Sequence, residues 1–195
     1  MSLNISLYTV SAALILDNKG SRLYAKYYQT KENEIVSNPY KSLNQQLKFE
    51  EQLFSKINKV NQDIILYDNH LITYKQTNDV IIALVSSINE NESLIYSLTN
   101  NLNEALSILL DNTLDKSTIL EKYDLVSLCI DETIDDGIIL EIDPSIIVSR
   151  VTNTPSNSAI SNDLNLNKIE LSEKGLFNAL SFASKKIGER LQQGL

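Results

Sequence analysis

The chain has 195 residues, of which 43% are hydrophobic and 22% charged, and its formal net charge is −8. This size and composition predict a single globular domain with a sizeable core. The acidic balance argues against nucleic acid, or a bare anionic membrane, as the main partner, because both attract a basic surface. The single cysteine excludes an intramolecular disulfide and indicates a reducing compartment. No signal peptide or membrane-spanning run is visible, so we expect a soluble, cytosolic protein.

The beginning of the chain predicts a β-hairpin followed by a helix. Residues 7–16 form an apolar run, and residues 17–20 carry the Asn and Gly that suit a turn. Residues 22–28 alternate well enough for the returning strand. After a polar loop over residues 30–39, Ser42 and Gln45 make a capping-box pattern that begins a helix over residues 43–59. The apolar face predicted for this helix comprises Leu43, Leu47, Phe54 and Ile57, with Phe49 and Leu53 beside it.

The middle of the chain predicts three further strands, over residues 63–67, 71–76 and 80–86. Their hairpin-length connections make them antiparallel. The third strand has almost no polar residue, which predicts a place in the middle of the sheet.

The next part of the chain is predicted to be helical. Asn89 and Glu92 suggest the cap of one helix, and Asp115 the cap of another that reaches Ile134, with Gly137 as its stop. A short extended piece over residues 137–141 precedes a last helix, from residue 143 to about 151. The order β-β-α-β-β-β-α-α plus a short helix predicts an α+β fold, in which a five-stranded antiparallel sheet is flanked by helices.

A change of composition divides the chain into a domain over residues 1–151, a Ser/Asn/Thr-rich linker over residues 152–170 and a tail over residues 171–195. Apolar residues recur in the tail at helical spacing and predict an amphipathic helix. Such a helix has three possible sites: a protein groove, its own domain or a membrane surface. We favour protein docking, because the basic residues are few and acidic ones stand among them. The stripe offered to a partner is Leu176, Leu180, Ile187 and Leu191.

Catalytic chemistry finds little support in the sequence. There is no glycine-rich phosphate loop, and His70 is the only histidine. We interpret it as a solvated turn residue. Cys129 stands between apolar residues of a predicted helix and is interpreted as a buried, inert thiol. We therefore expect no catalytic residue, no cofactor and no metal site.

The densest charged group is an acidic cluster near the predicted end of a helix. On one continuous helix its members would stack at i, i+4, where like charges repel. Three interpretations stay open: a solvated acidic face, a docking site for a basic partner surface, or a Mg²⁺ or Ca²⁺ site. The last is disfavoured because no ligand loop surrounds the group. The cluster consists of Asp131, Glu132, Asp135 and Asp136.

Several stretches of the sequence resemble the coatomer zeta family. They include the opening hairpin over residues 7–28, the FEEQLF run of residues 49–54, the DNHL turn of residues 68–71 and the tail. The most specific is residues 130–141, IDETIDDGIILE, followed by Asp143. This family is similar to the small sigma chains of clathrin adaptors and has a longin-like fold.

The resemblance implies a non-catalytic subunit of the COPI vesicle coat. It implies a direct pair with the gamma subunit of coatomer and contact with other coatomer subunits. Recruitment to Golgi membranes would be indirect, through an Arf-family GTPase, with the chain peripheral on the cytosolic face. The expected function is Golgi-to-endoplasmic-reticulum and intra-Golgi transport. The rivals are a clathrin-adaptor sigma chain, a longin module of a SNARE or of an exchange factor, and an enzyme with an unfamiliar site.

Overall fold

The computed structural model describes residues 7–28, 40–58 and 62–152. Within these ranges the predicted order of elements is confirmed, with one helix divided and one small hairpin added. The strands are β1 (Val10–Asp17), β2 (Arg22–Tyr27), β3 (Ile64–Tyr67), β4 (His70–Thr77), β5 (Val80–Ser87), β6 (Ile134–Asp135) and β7 (Ile138–Ile139). The helices are α1 (Leu43–Ile57), α2 (Glu92–Leu109), α3 (Lys116–Glu121), α4 (Tyr123–Thr133) and α5 (Pro144–Thr152).

The main sheet of the described residues has five antiparallel strands in the order β2-β1-β5-β4-β3. The central position predicted for the third apolar strand is confirmed, because β5 lies between β1 and β4. Its first seven residues are buried, as expected for a strand that is covered on both faces. The strands β2 and β3, which α1 joins, lie at opposite edges, so the α1 connection crosses the whole sheet.

Both faces of the sheet are covered by helices. Alternate residues of β1 point to opposite sides, so that Ala13 and Ile15 join one core and Leu14 and Leu16 the other. The first core is completed by α2, α3, α4 and α5. The second is completed by α1. The result is a three-layer α+β arrangement, which confirms the predicted fold class.

Helix α1 begins with the predicted capping box, in which Ser42 and Gln45 satisfy each other's backbone N–H groups. Its predicted apolar face is only partly correct. Ile57 is buried as predicted, and so are Phe49 and Leu53 beside the predicted face, but Leu43 and Leu47 are exposed and Glu50 is buried in their place. The buried face of α1 is decided by packing on the sheet and not by the number of leucines on each face.

Two helix predictions in the second half need correction. The helix predicted from Asp115 to Ile134 is two helices, because the backbone at Lys122 leaves helical geometry with φ −106° and ψ 39°. The next helix ends at Thr133, so Gly137 is not its stop. The cap of α2 is Asn91 and not Asn89, since its side chain accepts a hydrogen bond from the Leu94 amide at 3.1 Å.

Candidate partner interface

The predicted acidic cluster is built on the end of α4 and the small β6–β7 hairpin. Asp131 and Glu132 lie in the last turn of α4, Asp135 lies in β6, and Asp136 lies in the hairpin turn. The chain leaves α4 after Thr133, because Ile134 is fully buried and adopts an extended conformation as the helix ends. The predicted i, i+4 stacking of the four carboxylates on one helix is therefore wrong.

The turn of the β6–β7 hairpin requires residues that tolerate a positive φ. Asp136 and Gly137 both have positive φ, 46° and 84°, which is the two-residue turn that matches strand twist. The Gly137 carbonyl accepts a hydrogen bond from the Val10 amide at 3.0 Å. A Cβ on Gly137 would lie 2.6 Å from the Val10 carbonyl oxygen, so only glycine fits against β1 here.

Asp131 forms an ion pair inside the domain. Its carboxylate lies 2.7 Å from the Lys26 ammonium of β2. The Lys26 ammonium also stands 5.4 Å from the centre of the Tyr28 ring, within the range of a cation–π contact. The Tyr28 hydroxyl donates to the carbonyl of Ile134 at 3.4 Å. Burial, with Tyr24 and the carboxylates of Asp131 and Asp135 nearby, raises the pKa of Tyr28, which stays a neutral donor.

Glu132 is also engaged within the domain. Its carboxylate lies 3.9 Å from one guanidinium nitrogen of Arg150 on α5. Another nitrogen of Arg150 donates to Glu141 at 3.1 Å. Arg150 thus bridges α4 and the segment after β7, and the charge of Glu132 is partly compensated.

Asp135 and Asp136 differ from the other two members of the cluster. Both are exposed. Of the ion pairs between described residues, none includes either carboxylate. The cluster is thus divided into an internally paired half on α4 and an open half at the hairpin tip, a division that sequence spacing could not reveal.

The other predicted interface, the tail stripe of Leu176, Leu180, Ile187 and Leu191, lies outside the described residues. The structure instead reveals exposed apolar side chains that sequence reasoning missed. Leu140 and Ile142 follow β7 and are about half exposed, and Leu7 is 71% exposed. Leu7 and Leu140 belong to stretches that carry the family resemblance, but their exposure depends on how the segments around β7 pack and could not be predicted from those stretches.

His70 and Cys129 offer no catalytic arrangement. The prediction that His70 is a solvated turn residue is wrong, because His70 begins β4, is half-buried and lies against the rings of Tyr40 and Phe49. Its Nδ1 lies 2.6 Å from the Asp68 carbonyl oxygen. Cys129 is fully buried in α4, and burial raises the pKa of its thiol to about 12, which suppresses the reactive thiolate. Across residues 7–28, 40–58 and 62–152, no three or more potential ligands cluster as a metal site would need.

In the same described ranges, every helix is too short or too polar to cross a bilayer.

Comparison with known proteins assigns the fold and the family. Residues 9–158 match the family model of the clathrin adaptor complex small chain. Among solved structures, a chain of a homology model of the AP-3 complex matches with a TM-score of 0.57 at 17% identity, covering 74% of this chain and 92% of the other. The fold is therefore that of an adaptor small chain, which confirms the longin-like prediction.

The sequence relatives show which branch of the adaptor small-chain family the chain belongs to. The chain is 43% identical to coatomer subunit zeta of Saccharomyces cerevisiae, over 98% of this chain and 99% of the relative. It is 36% identical to the probable coatomer subunit zeta-A of Dictyostelium discoideum, over 89% and 97%. Human coatomer subunit zeta-1 is 38% identical over 75% and 78%. The chain belongs to the coatomer zeta branch of the clathrin adaptor small-chain family.

Proposed function

We propose that this chain is a non-catalytic subunit of the COPI coat that pairs directly with the gamma subunit of coatomer. The observation that carries the proposal is the 43% identity to yeast coatomer subunit zeta over nearly the full length of both chains. A coat subunit functions by presenting surfaces, and the described part of this chain agrees with that role. Its lone thiol is buried, and its lone histidine lies against aromatic rings.

The cellular role follows from that pairing. In this proposal the chain is cytoplasmic and reaches Golgi membranes and COPI vesicles as a peripheral part of the coat. An Arf-family GTPase recruits it indirectly, through the other coatomer subunits. The transport steps served are Golgi-to-endoplasmic-reticulum retrieval and traffic within the Golgi.

Affinity purification of the tagged full chain from native cytosol, followed by mass spectrometry, tests the pairing. We expect a gamma subunit in stoichiometric amount, together with the other coatomer subunits, and neither in a purification with the tag alone. Recovery of a clathrin-adaptor large chain in its place would assign the chain to a sigma-like role. Recovery of no large chain would remove the proposed function and leave the fold unchanged.

Direct contact needs a second measurement, because whole-coat purification does not show which subunits touch. Coexpression of the chain with the gamma subunit should yield a soluble one-to-one complex by size-exclusion chromatography with light scattering. A complex that forms only when a third coat subunit is added would contradict direct pairing.

A further inference from the structure

The segment that follows β7 reverses the usual polarity of a surface segment. Leu140 and Ile142 are 51% and 47% exposed, whereas the side chain of Glu141 between them is only 17% exposed. A surface segment ordinarily turns its charged side chains toward water and its apolar ones toward the core. The reversal indicates that a partner covers the outward side of this segment.

Hydrogen bonds within the domain hold the reversed polarity in place. Glu141 accepts a hydrogen bond from Arg150 of α5 at 3.1 Å, and bonds from the amides of Ile142 and Asp143 at 3.0 and 3.2 Å. The Ile142 carbonyl accepts a bond from the Asn101 side chain of α2 at 2.8 Å. The outward side chains are therefore positioned before a partner binds, which lowers the entropic cost of association.

The outward apolar side chains form one row on the surface. The amide of Leu140 donates to the Thr133 carbonyl at 2.9 Å, which keeps the chain extended beyond β7. Alternate residues of an extended chain point to opposite sides, and Ile139 packs against the first core. Tyr8 joins the other side, because it forms an antiparallel bridge with Ile138. We call this row the outer stripe, and it consists of Tyr8, Ile138, Leu140 and Ile142.

The charge beside the outer stripe is negative. Asp135 stands directly opposite Ile138 in the β6–β7 ladder, so its side chain lies on the same face as the stripe. Neither Asp135 nor Asp136 takes part in an ion pair between described residues. An anionic membrane would be repelled here, and a symmetric contact with a second copy would bring like charges together. The surface therefore fits a different chain, one that carries Lys or Arg beside an apolar face.

From these observations we propose that the outer stripe is the surface on which the gamma subunit of coatomer docks. The docking segment of gamma is apolar, and Lys or Arg side chains at its margin face Asp135 and Asp136. This inference rests on the pairing proposed above and names the surface of this chain that forms it.

Competition for a limiting amount of gamma subunit tests the apolar part of the surface. Wild-type and variant full chains, coexpressed with gamma, are quantified by mass spectrometry in the purified complex and in the input. Leu140→Asp should be depleted at least about tenfold relative to wild type, because it places a charge in the covered stripe. Leu120→Asp on α3, where the leucine is 53% exposed, should be recovered at the wild-type ratio. Thermal unfolding of the free variants checks that both are folded.

A second pair of variants tests the charge beside the stripe and does not alter any apolar side chain. Asp135→Lys should also be depleted from the complex, because it would face the basic margin of gamma. Asp124→Lys, which changes an exposed carboxylate of α4, should be recovered at the wild-type ratio.

The outcomes separate this surface from the pairing itself. Absence of a complex between gamma and the wild-type chain would overturn both proposals. A wild-type complex in which Leu140→Asp and Asp135→Lys are both retained at the wild-type ratio would overturn this surface alone. Light scattering that shows a dimer of the free chain, converted to a monomer by Leu140→Asp, would assign the stripe to a second copy. Flotation with vesicles containing phosphatidylserine, abolished by Leu140→Asp, would assign it to a membrane, and either result would overturn the proposal.

Discussion

Two independent constraints require a glycine at position 137. Its φ of 84° disfavours any side chain, and the space where a Cβ would stand is 2.6 Å from the Val10 carbonyl oxygen. The first constraint is local, but the sequence predicted Gly137 as the stop of a helix, whereas the residue lies in the turn between β6 and β7. The second depends on β1, which is far away in sequence.

We predict that Gly137→Ala lowers the free energy of unfolding by about 1–3 kcal/mol from the backbone conformation alone, with the clash against Val10 adding to this. Urea denaturation checks it. Asp136→Gly is the control, because that residue already has a positive φ, and its stability should be close to wild type. Equal midpoints for Gly137→Ala and wild type would contradict the assigned contact.

Asp17 is a buried carboxylate that joins a turn to a helix. Its side chain accepts hydrogen bonds from the amides of Lys19 and Ser21 at 2.9 and 2.8 Å, and Lys116 lies 2.8 Å from its other oxygen. Burial by itself raises the pKa of Asp17, but the hydrogen bonds and the charge of Lys116 outweigh it and lower the pKa below the ordinary 3.8.

A pH dependence follows from that shift. Because the pKa of Asp17 is lower in the folded state, its stabilisation is present above about pH 4 and is lost as the pH falls through the folded pKa. Asp17→Asn should lower the free energy of unfolding by about 1–3 kcal/mol at pH 7. Between pH 5 and 3, the stability of this variant should fall less than that of wild type. Urea midpoints across that range check it, with Asp135→Asn as the exposed control. An unchanged slope in Asp17→Asn would exclude this linkage.

At the scale of elements, an ion pair between Arg22 of β2 and Glu50 of α1 attaches this helix to the sheet. A bulge where β1 pairs with β2 makes the ion pair possible. The register of β1 and β2 shifts between Ile15 and Leu16. This bulge turns Arg22 toward α1, whereas Tyr24 faces the other core. There Glu50, 2% exposed, accepts two hydrogen bonds from Arg22, at 2.6 and 2.9 Å, and one from the Tyr27 hydroxyl at 2.8 Å.

Removal of one member of the Arg22–Glu50 pair should lower the free energy of unfolding more than removal of both members. Arg22→Met leaves the Glu50 carboxylate buried beside a neutral chain, which we expect to cost about 3 kcal/mol, the lower end of the range for buried pairs because Arg22 is partly exposed. The double variant Arg22→Met/Glu50→Leu should recover most of that loss. Chemical denaturation of the full mutant cycle measures the coupling, and additive effects would show that the pair does not hold α1.

The molecule as a whole depends on the order of strands in the sheet. The central strand, β5, pairs with β1 and β4, whereas β3 pairs with β4 alone in the described sheet. Interior strands open mainly through global unfolding, and edge strands open locally.

Amide hydrogen exchange should therefore be slowest in the central strand of the sheet and faster in the edge strand β3. We expect the amides of residues 81–85 to exchange most slowly, with an opening free energy close to that of global unfolding. The hydrogen-bonded amides of β3 should exchange at least tenfold faster. Residue-resolved exchange at a pH where the chain is stable measures both. Equal protection in β3 and β5 would mean that the short edge strand is covered.

Much of this architecture could be predicted because the relevant signals are local. The turn at residues 17–20, the cap at Ser42 and the apolar run of β5 each depend on side-chain chemistry within a few residues. The break at Lys122 was missed because no proline or glycine marks it. The separation of α3 from α4 coincides with tertiary contacts, such as the ring pair of Tyr123 and Tyr24 at 5.9 Å, which sequence spacing cannot show.

The sequence by itself determined the fold class, the order of elements and the family, because periodicity, turn chemistry and a long specific motif are properties of neighbouring residues. The tertiary structure alone decided which charges of the acidic cluster are engaged and which are open. Lys26 and Arg150 come from β2 and α5, far from Asp131 or Glu132 in the chain, and pairing at such separation is set by the packing of helices on the sheet.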